Sequence, residues 1–413
     1  MGRALDRSKP PGWLPELSPD GWLLFATCGV RTFAYGFLSV VLALYLAALG
    51  LETAAIGGLF TAALAGGALM TVLLTGVADA VGRRRVLVFG AALMALTGVV
   101  FARTENLVLL TVAAIFGAIS PSGKEVGPFL SLEQAVLPQT TSNERRTSVF
   151  AAYNLVGSLA GALGALAVGV PEALGLAPLA GYRALVWGYA AAGLFLLLLF
   201  ARLSPSVEAV RTTTGSAHRL GVHRSRGVVA KLAALFAVDS FAGGFVVQGL
   251  VAYWFSVRFG VDTATLGAIF FGSNALSAVS FLAAAPIAQR IGLLNAMVFT
   301  HLPSNVLLIL VPLMPSLELA VVVWLTRHLL SQLDVPTRQS YTMAVVEPDE
   351  RSAAAGLTSV ARNAAAALAP AFSGLTLAVP ALGLPFLLAG GLKIVYDLSI
   401  LAAFRRVRPP EET

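Results

Sequence analysis

The chain has 413 residues, of which 57% are hydrophobic and 12% charged, where a soluble domain carries about 25% charged residues. A mean hydropathy of +0.82 excludes an ordinary soluble enzyme and a disordered chain, and one cysteine, Cys28, excludes a disulfide scaffold. The net charge of +7 is no sign of nucleic acid here, because the 24 Arg and 4 Lys gather beside apolar runs, where membrane topology places them.

A membrane span needs about 20 apolar residues. Read as the gaps between charges, the first six spans have cores at 21–48, 53–75, 86–103, 106–130, 147–170 and 183–202. After a polar stretch, six more follow at 229–257, 264–288, 291–312, 318–343, 353–378 and 384–404. The last two are separated by Pro380-Ala-Leu-Gly-Leu-Pro385. The organisation is a tail at 1–20, a six-helix half at 21–202, a central loop at 203–228, a second half at 229–405 and a tail at 406–413. Pro10-Pro11, Asp6, Glu16 and Asp20 make residues 1–20 a poor signal peptide.

With the first residues inside, the inner segments hold 20 basic residues and the outer loops hold three, Arg103, Arg183 and Arg258. The positive-inside rule then puts both ends in the cytoplasm of a multi-pass protein of the cell (plasma or inner) membrane. In the central loop, Thr212-Thr-Thr-Gly-Ser216 reads as a flexible linker and the basic residues as interfacial anchors.

The halves repeat one another at an offset near 206–210. Residues 54–60, AAIGGLF, match 264–270, ATLGAIF. Gly29-Val-Arg-Thr-Phe33 matches Ala237-Val-Asp-Ser-Phe241, and Asn143-Glu-Arg-Arg146 matches Asp349-Glu-Arg-Ser352. Ala78-Asp-Ala-Val-Gly82 matches Ala288-Gln-Arg-Ile-Gly292. An even number of spans per half makes the repeat parallel, with its axis along the membrane normal.

An all-α membrane protein of twelve helices in two pseudo-symmetric halves resembles the major facilitator superfamily. The local mark is Thr75-Gly-Val-Ala-Asp-Ala-Val-Gly-Arg-Arg-Arg-Val-Leu87, similar to the family's G-x-L-A-D-R-x-G-R-K/R-x-x-L. Ala78, Asp79, Gly82, Arg83, Arg84 and Leu87 match it, whereas Thr75, Val77 and Ala80 depart from it. Gly82 suits a tight turn and Arg83 to Arg85 suit an anionic membrane face. The resemblance implies that Asp79, with Gly82, Arg83 and Arg84, forms a latch that locks the halves in the outward-facing state. Its partner would be the N-terminus of helix 11, near Ser352.

A charge at the bilayer centre normally faces a wet cavity or a partner. Arg31 lies about ten residues into helix 1, near mid-depth at about 1.5 Å per residue. Asp239 is its counterpart in helix 7. The repeat therefore predicts that they pair across one central cavity, in a contact that substrate or a proton on Asp239 breaks. Helix 10 carries Arg327, Asp334 and Arg338 at spacings of seven and four, on one face. Arg327 is a candidate for an anionic group or a carboxylate, and Asp334 with Arg338 reads equally as a cytoplasmic ion pair. In helix 4, Pro121, Gly123 and Pro128 disrupt the helix around Lys124 and Glu125, a candidate gate or substrate contact, with Glu133 placed near the cytoplasmic end. His301 reads as structural.

No metal cluster, cofactor site or phosphate-binding loop of the G-x-x-x-x-G-K-[ST] type is visible, and no nucleophile–base pair marks an enzyme. Gly157-Ser-Leu-Ala-Gly-Ala-Leu-Gly164 in helix 5 resembles the g-x-x-x-G-P-x-x-G-G motif of drug/proton antiporters. Ala162 stands for its Pro and Ala165 for its last Gly, and the helix-4 R-x-x-Q-G of those exchangers is absent. The expectation is a monomeric secondary transporter of a small organic or amphiphilic solute. Proton-coupled efflux by alternating access leads. Proton-linked uptake, uniport, or a non-transporting receptor or lipid-handling protein on the same scaffold are the alternatives.

Overall fold

The computed structural model describes residues 17–123, 128–141, 146–208, 223–347, 350–377 and 383–407. Every expected span contains described helix. The first half comprises helix 1 (Pro19–Ala48), helix 2 (Thr53–Val81), helix 3 (Arg83–Arg103), helix 4 in two segments (Leu107–Phe116 and Phe129–Val136), helix 5 (Arg146–Leu166) and helix 6 (Pro178–Phe200). The second half comprises helix 7 in two segments (Arg226–Gly244 and Gln248–Phe259), helix 8 (Thr263–Ile291), helix 9 (Leu293–Leu310), helix 10 in two segments (Leu317–Ser331 and Asp334–Ala344), helix 11 (Arg351–Thr376) and helix 12 (Leu384–Phe404). Eight of these helices are long and apolar enough to cross a membrane by length and composition alone.

The internal repeat is visible in the turns. Gly82 has φ 112° and joins helix 2 directly to helix 3, while Gly292 has φ 84° and joins helix 8 to helix 9. Positive φ carries little cost only for glycine, so the same residue makes the same one-residue turn in each half. Each turn closes on the preceding helix, Gly82 N to Ala78 O at 2.8 Å and Gly292 N to Ala288 O at 2.9 Å.

Small residues set how closely helices approach inside a half. A Cβ on Gly164 would stand 2.0 Å from the Phe33 carbonyl oxygen, and one on Gly36 would stand 2.2 Å from that of Gly161. The glycine stripe of helix 5 is thus the surface on which helix 1 packs. Helices 3 and 6 meet likewise at Gly98 against Ala190 and Gly193 against Ala95.

Contacts between the halves concentrate at the end away from the start of helix 1. Helices 2 and 11 touch there, where a Cβ on Gly57 would lie 2.3 Å from Pro370 O and one on Gly374 would lie 2.3 Å from Thr53 O. At the other end of the same two helices, Gly76 and Gly356 have no such neighbour among the described residues within 4 Å. Helices 5 and 8 repeat the pattern, with Gly169 against Ala264, Gly267 against the Ala165 carbonyl, and Thr263 Oγ1 donating to Glu172 just beyond. The halves are therefore closed at one end and splayed at the end where helix 1 begins.

That splayed end also shows how the central loop is tied down. Glu208 accepts from the backbone N of Arg83 at 2.6 Å and of Arg84 at 3.3 Å, which caps helix 3. Asp20 accepts from Ser204 N at 2.9 Å and Ser206 Oγ at 2.8 Å. Glu350 accepts from the backbone N of His223, of Arg224 at 2.7 Å and of Ser225 at 2.9 Å. Burial opposes ionisation of Glu350, but these backbone donors outweigh it and hold its carboxyl at about 2. The described ends of the loop are thus anchored by carboxylates, while Thr212–Ser216 lies outside the described residues.

Candidate functional site

Among the described residues helices 4, 7 and 10 are broken, and their breaks expose backbone groups that must find partners away from lipid. Pro121 in the break of helix 4 offers its carbonyl oxygen to Gly249 N in helix 7, at 3.1 Å. Beside it, Gln248 Nε2 donates to Ser39 Oγ of helix 1 at 2.9 Å. The freed groups of one half thus satisfy those of the other, near the closed end.

The predicted pair of Arg31 with Asp239 does not form in this structure; each closes on a residue of its own half. Arg31 grips Glu133 with two parallel bonds, Nη1 to Oε1 at 2.9 Å and Nη2 to Oε2 at 2.7 Å, and both side chains are 0% exposed. Thr27 Oγ1 donates to the same carboxylate at 2.8 Å, and the Tyr153 hydroxyl donates to it as well. The guanidinium also lies 5.0 Å from the Phe129 ring centre. Glu133 is therefore no interfacial residue. Its pairing with Arg31 holds it inside the first half rather than at the cytoplasmic surface.

Asp239 sits in a different setting. Lys393 Nζ reaches Asp239 Oδ1 at 2.5 Å, Arg338 Nη1 reaches Oδ2 at 3.1 Å, and His301 Nε2 stands 3.9 Å from Oδ1. Arg338 also holds Asp334 at 3.0 Å, so the expected i,i+4 pair exists, buried rather than interfacial. The other face of His301 bonds Asp397 through Nδ1 at 2.8 Å, and Asn305 Nδ2 donates to Asp397 at 2.8 Å. Helices 7, 9, 10 and 12 meet in this network, and helix 11 adds Arg362, whose Nε donates to Ser240 Oγ at 3.1 Å.

Arg338 stands in the second segment of helix 10 as Glu133 stands in that of helix 4. The repeat thus builds the same helix 1–helix 4 and helix 7–helix 10 contact twice, with the charges exchanged.

Arg327 is 8% exposed and lies 5.3 Å from the Trp324 ring centre. Its Nε is sealed from solvent without a hydrogen-bond partner. Trp324 is fixed by its Nε1 bond to Ser273 Oγ at 2.8 Å and by ring contacts with Phe255, Phe270 and Phe386. Asp79 is at the splayed end, 68% exposed in its side chain, and accepts from Arg83 Nε at 2.9 Å. Lys124 and Glu125 lie outside the described residues. Among the described residues no group of His, Cys, Asp and Glu is arranged to hold a metal ion.

Several contributors escaped sequence reasoning, Lys393, Asp397 and Asn305 among them. A signal existed for these three. Lys393 and Asp397 are opposite charges four apart within one span, and Asn305 is one turn from His301.

Residues 23–331 match the family model of the Major Facilitator Superfamily. An uncharacterized membrane protein of Saccharomyces cerevisiae is 31% identical over 422 residues, covering 94% of each chain. Among solved structures, the nucleoside transporter NupG superposes with a TM-score of 0.72 at 16% identity, over 94% of this chain and 100% of that one. A D-xylose-proton symporter does so with a TM-score of 0.68 at 17% identity, over 92% and 96%. At these identities the two structures speak for the fold.

Proposed function

The chain belongs to the major facilitator superfamily, and from that premise we propose that it is a secondary transporter whose proton-coupling centre is Asp239. The observation that carries this is the shared carboxylate, held at once by Lys393 at 2.5 Å and Arg338 at 3.1 Å with His301 at 3.9 Å. A proton on Asp239 cancels the charge that joins helix 7 to helices 10 and 12. Arg338 then keeps Asp334 on its own helix, and Lys393 has Asp397 one turn away. The cluster thus has two arrangements, and a proton shifts the balance between them. Helices 7 and 10 are each broken beside it, after Gly244 and after Ser331, which gives the shift a place to bend.

The solute is a small organic or amphiphilic molecule moved outward in exchange for protons. With the first residues in the cytoplasm, the splayed end faces inward. Asp79, Gly82, Arg83 and Arg84 act when that end closes, with Asp79 turning from Arg83 to the N-terminus of helix 11. The protein works as a monomer in the cell membrane.

Flux of a solute panel into and out of proteoliposomes under an imposed pH gradient tests this. The expected result is gradient-driven exchange that disappears in Asp239→Asn while the variant stays folded and monodisperse. Near-normal coupled flux in that variant overturns the coupling role, and flux that no gradient direction accelerates overturns proton exchange.

A further inference from the structure

The ion pairs in the polar interior of the second half are unevenly shared. Among the described residues, three buried carboxylates, Asp239, Asp334 and Asp397, stand with three buried permanent cations, Arg327, Arg338 and Lys393, and with half-buried Arg362. Asp239 and Asp334 are taken by Arg338 and Lys393, and Asp397 is taken by His301 and Asn305. Arg362 is half-buried and has Ser240. Among the described residues Arg327 is left with the Trp324 ring and with no carboxylate in hydrogen-bond contact, although it is 8% exposed. An arginine buried without a counter-charge is costly unless a partner arrives. The first half shows the contrast, since its buried arginine is fully matched by Glu133.

We infer that Arg327 is the binding site for an anionic group of the transported solute, which supplies the missing negative charge. The guanidinium offers a carboxylate, sulfonate or phosphate two parallel donors, a geometry that lysine lacks. Trp324 holds the arginine from one side, and Phe255, Phe270 and Phe386 pack around Trp324 in the core and fix it. The solute class is therefore an organic anion. Its charge enters the same field as Asp239 and Asp334, which act on Arg327 through space, so binding and proton uptake become linked. The solute class rests on the transporter reading above.

The test uses the full-length protein in detergent. Thermal unfolding is followed with benzoate, benzenesulfonate and phenyl phosphate, each against neutral benzamide, with gluconate keeping ionic strength constant. At least one aromatic anion is expected to raise the melting temperature of the wild type where benzamide does not. Arg327→Gln is expected to weaken that anion at least tenfold and Arg327→Lys to weaken it less. Without ligand, Arg327→Gln should melt no lower than the wild type, whereas Arg338→Gln melts lower. Anions that do no better than benzamide, or that stabilise Arg327→Gln as well as the wild type, overturn the inference. So does a ligand-free Arg327→Gln protein as unstable as Arg338→Gln. Nanodiscs of phosphatidylcholine with and without phosphatidylglycerol separate a soluble anion from a lipid headgroup, and an effect confined to phosphatidylglycerol overturns the solute assignment. Flux of an uncharged solute that survives Arg327→Gln leaves the transporter standing and removes the anion. Arg327-dependent binding with no flux of any solute in the panel removes the transporter instead.

Discussion

The two halves place a buried ion pair at the same pair of helices and use it in different ways. In the first half, Arg31 and Glu133 hold each other with two bonds, Thr27 and Tyr153 fill the remaining acceptor sites, and no solvent reaches them. In the second, Asp239 is divided between Lys393 and Arg338, and Arg338 is divided again with Asp334. One partner per charge makes an anchor. Several partners per charge make a contact that can be exchanged without leaving any group bare. On the proposed function, a repeat duplicated in sequence supplies one fixed half and one half that answers a proton or a solute.

The largest expected break is Asp239→Asn, which should bring gradient-driven flux down to that of protein-free liposomes. The mirror experiment follows. Arg31→Met alone should lower stability by about 3–5 kcal/mol, because it strands a buried carboxylate. Arg31→Met with Glu133→Leu should recover most of that loss in chemical unfolding and still transport, since an apolar pair can replace a sealed ion pair. If the double variant is stable but inactive, the first-half pair is more than an anchor.

A smaller effect is expected where the halves touch. Gly57→Val puts side-chain atoms onto Pro370 and should open the closed end, read as faster labelling of a cysteine introduced in the interface. Gly76→Val, in free space on the same helix, should label as the wild type does.

The smallest concerns Glu350→Gln. The Glu350 carboxyl lies at about 2 when folded, below its ordinary 4.5. A lowered value means stabilisation that is present above about pH 4.5 and lost as pH falls toward 2. The melting difference between wild type and Glu350→Gln should therefore be constant near neutrality and shrink only in acid. A difference that grows on acidification contradicts the capping role.

Most of the fold was legible because a membrane narrows the choices. Charges bound the spans, and Gly82 and Gly292 mark equivalent turns in a repeated pattern. The site was legible in its members more than in its pairing. Arg31, Asp239, Arg327 and Asp334 stand out as charges in apolar runs, and all four are buried. Symmetry suggested that Arg31 and Asp239 face one another, but each half solves its own buried charge first. The Glu133 partner lies 102 residues from Arg31 in the second segment of helix 4 and reaches it only through packing of helices 1 and 4. His301 looked isolated because Asp397 lies 96 residues away and reaches it only through packing of helices 9 and 12.

The most direct test of the fixed and exchangeable halves is proton release or uptake in weakly buffered detergent as a transported solute is added. Wild type and the Arg31→Met, Glu133→Leu double variant should both exchange protons on binding, and Asp239→Asn should bind without doing so. Proton exchange that persists in Asp239→Asn, or that vanishes in the double variant, would contradict the division of roles between the halves.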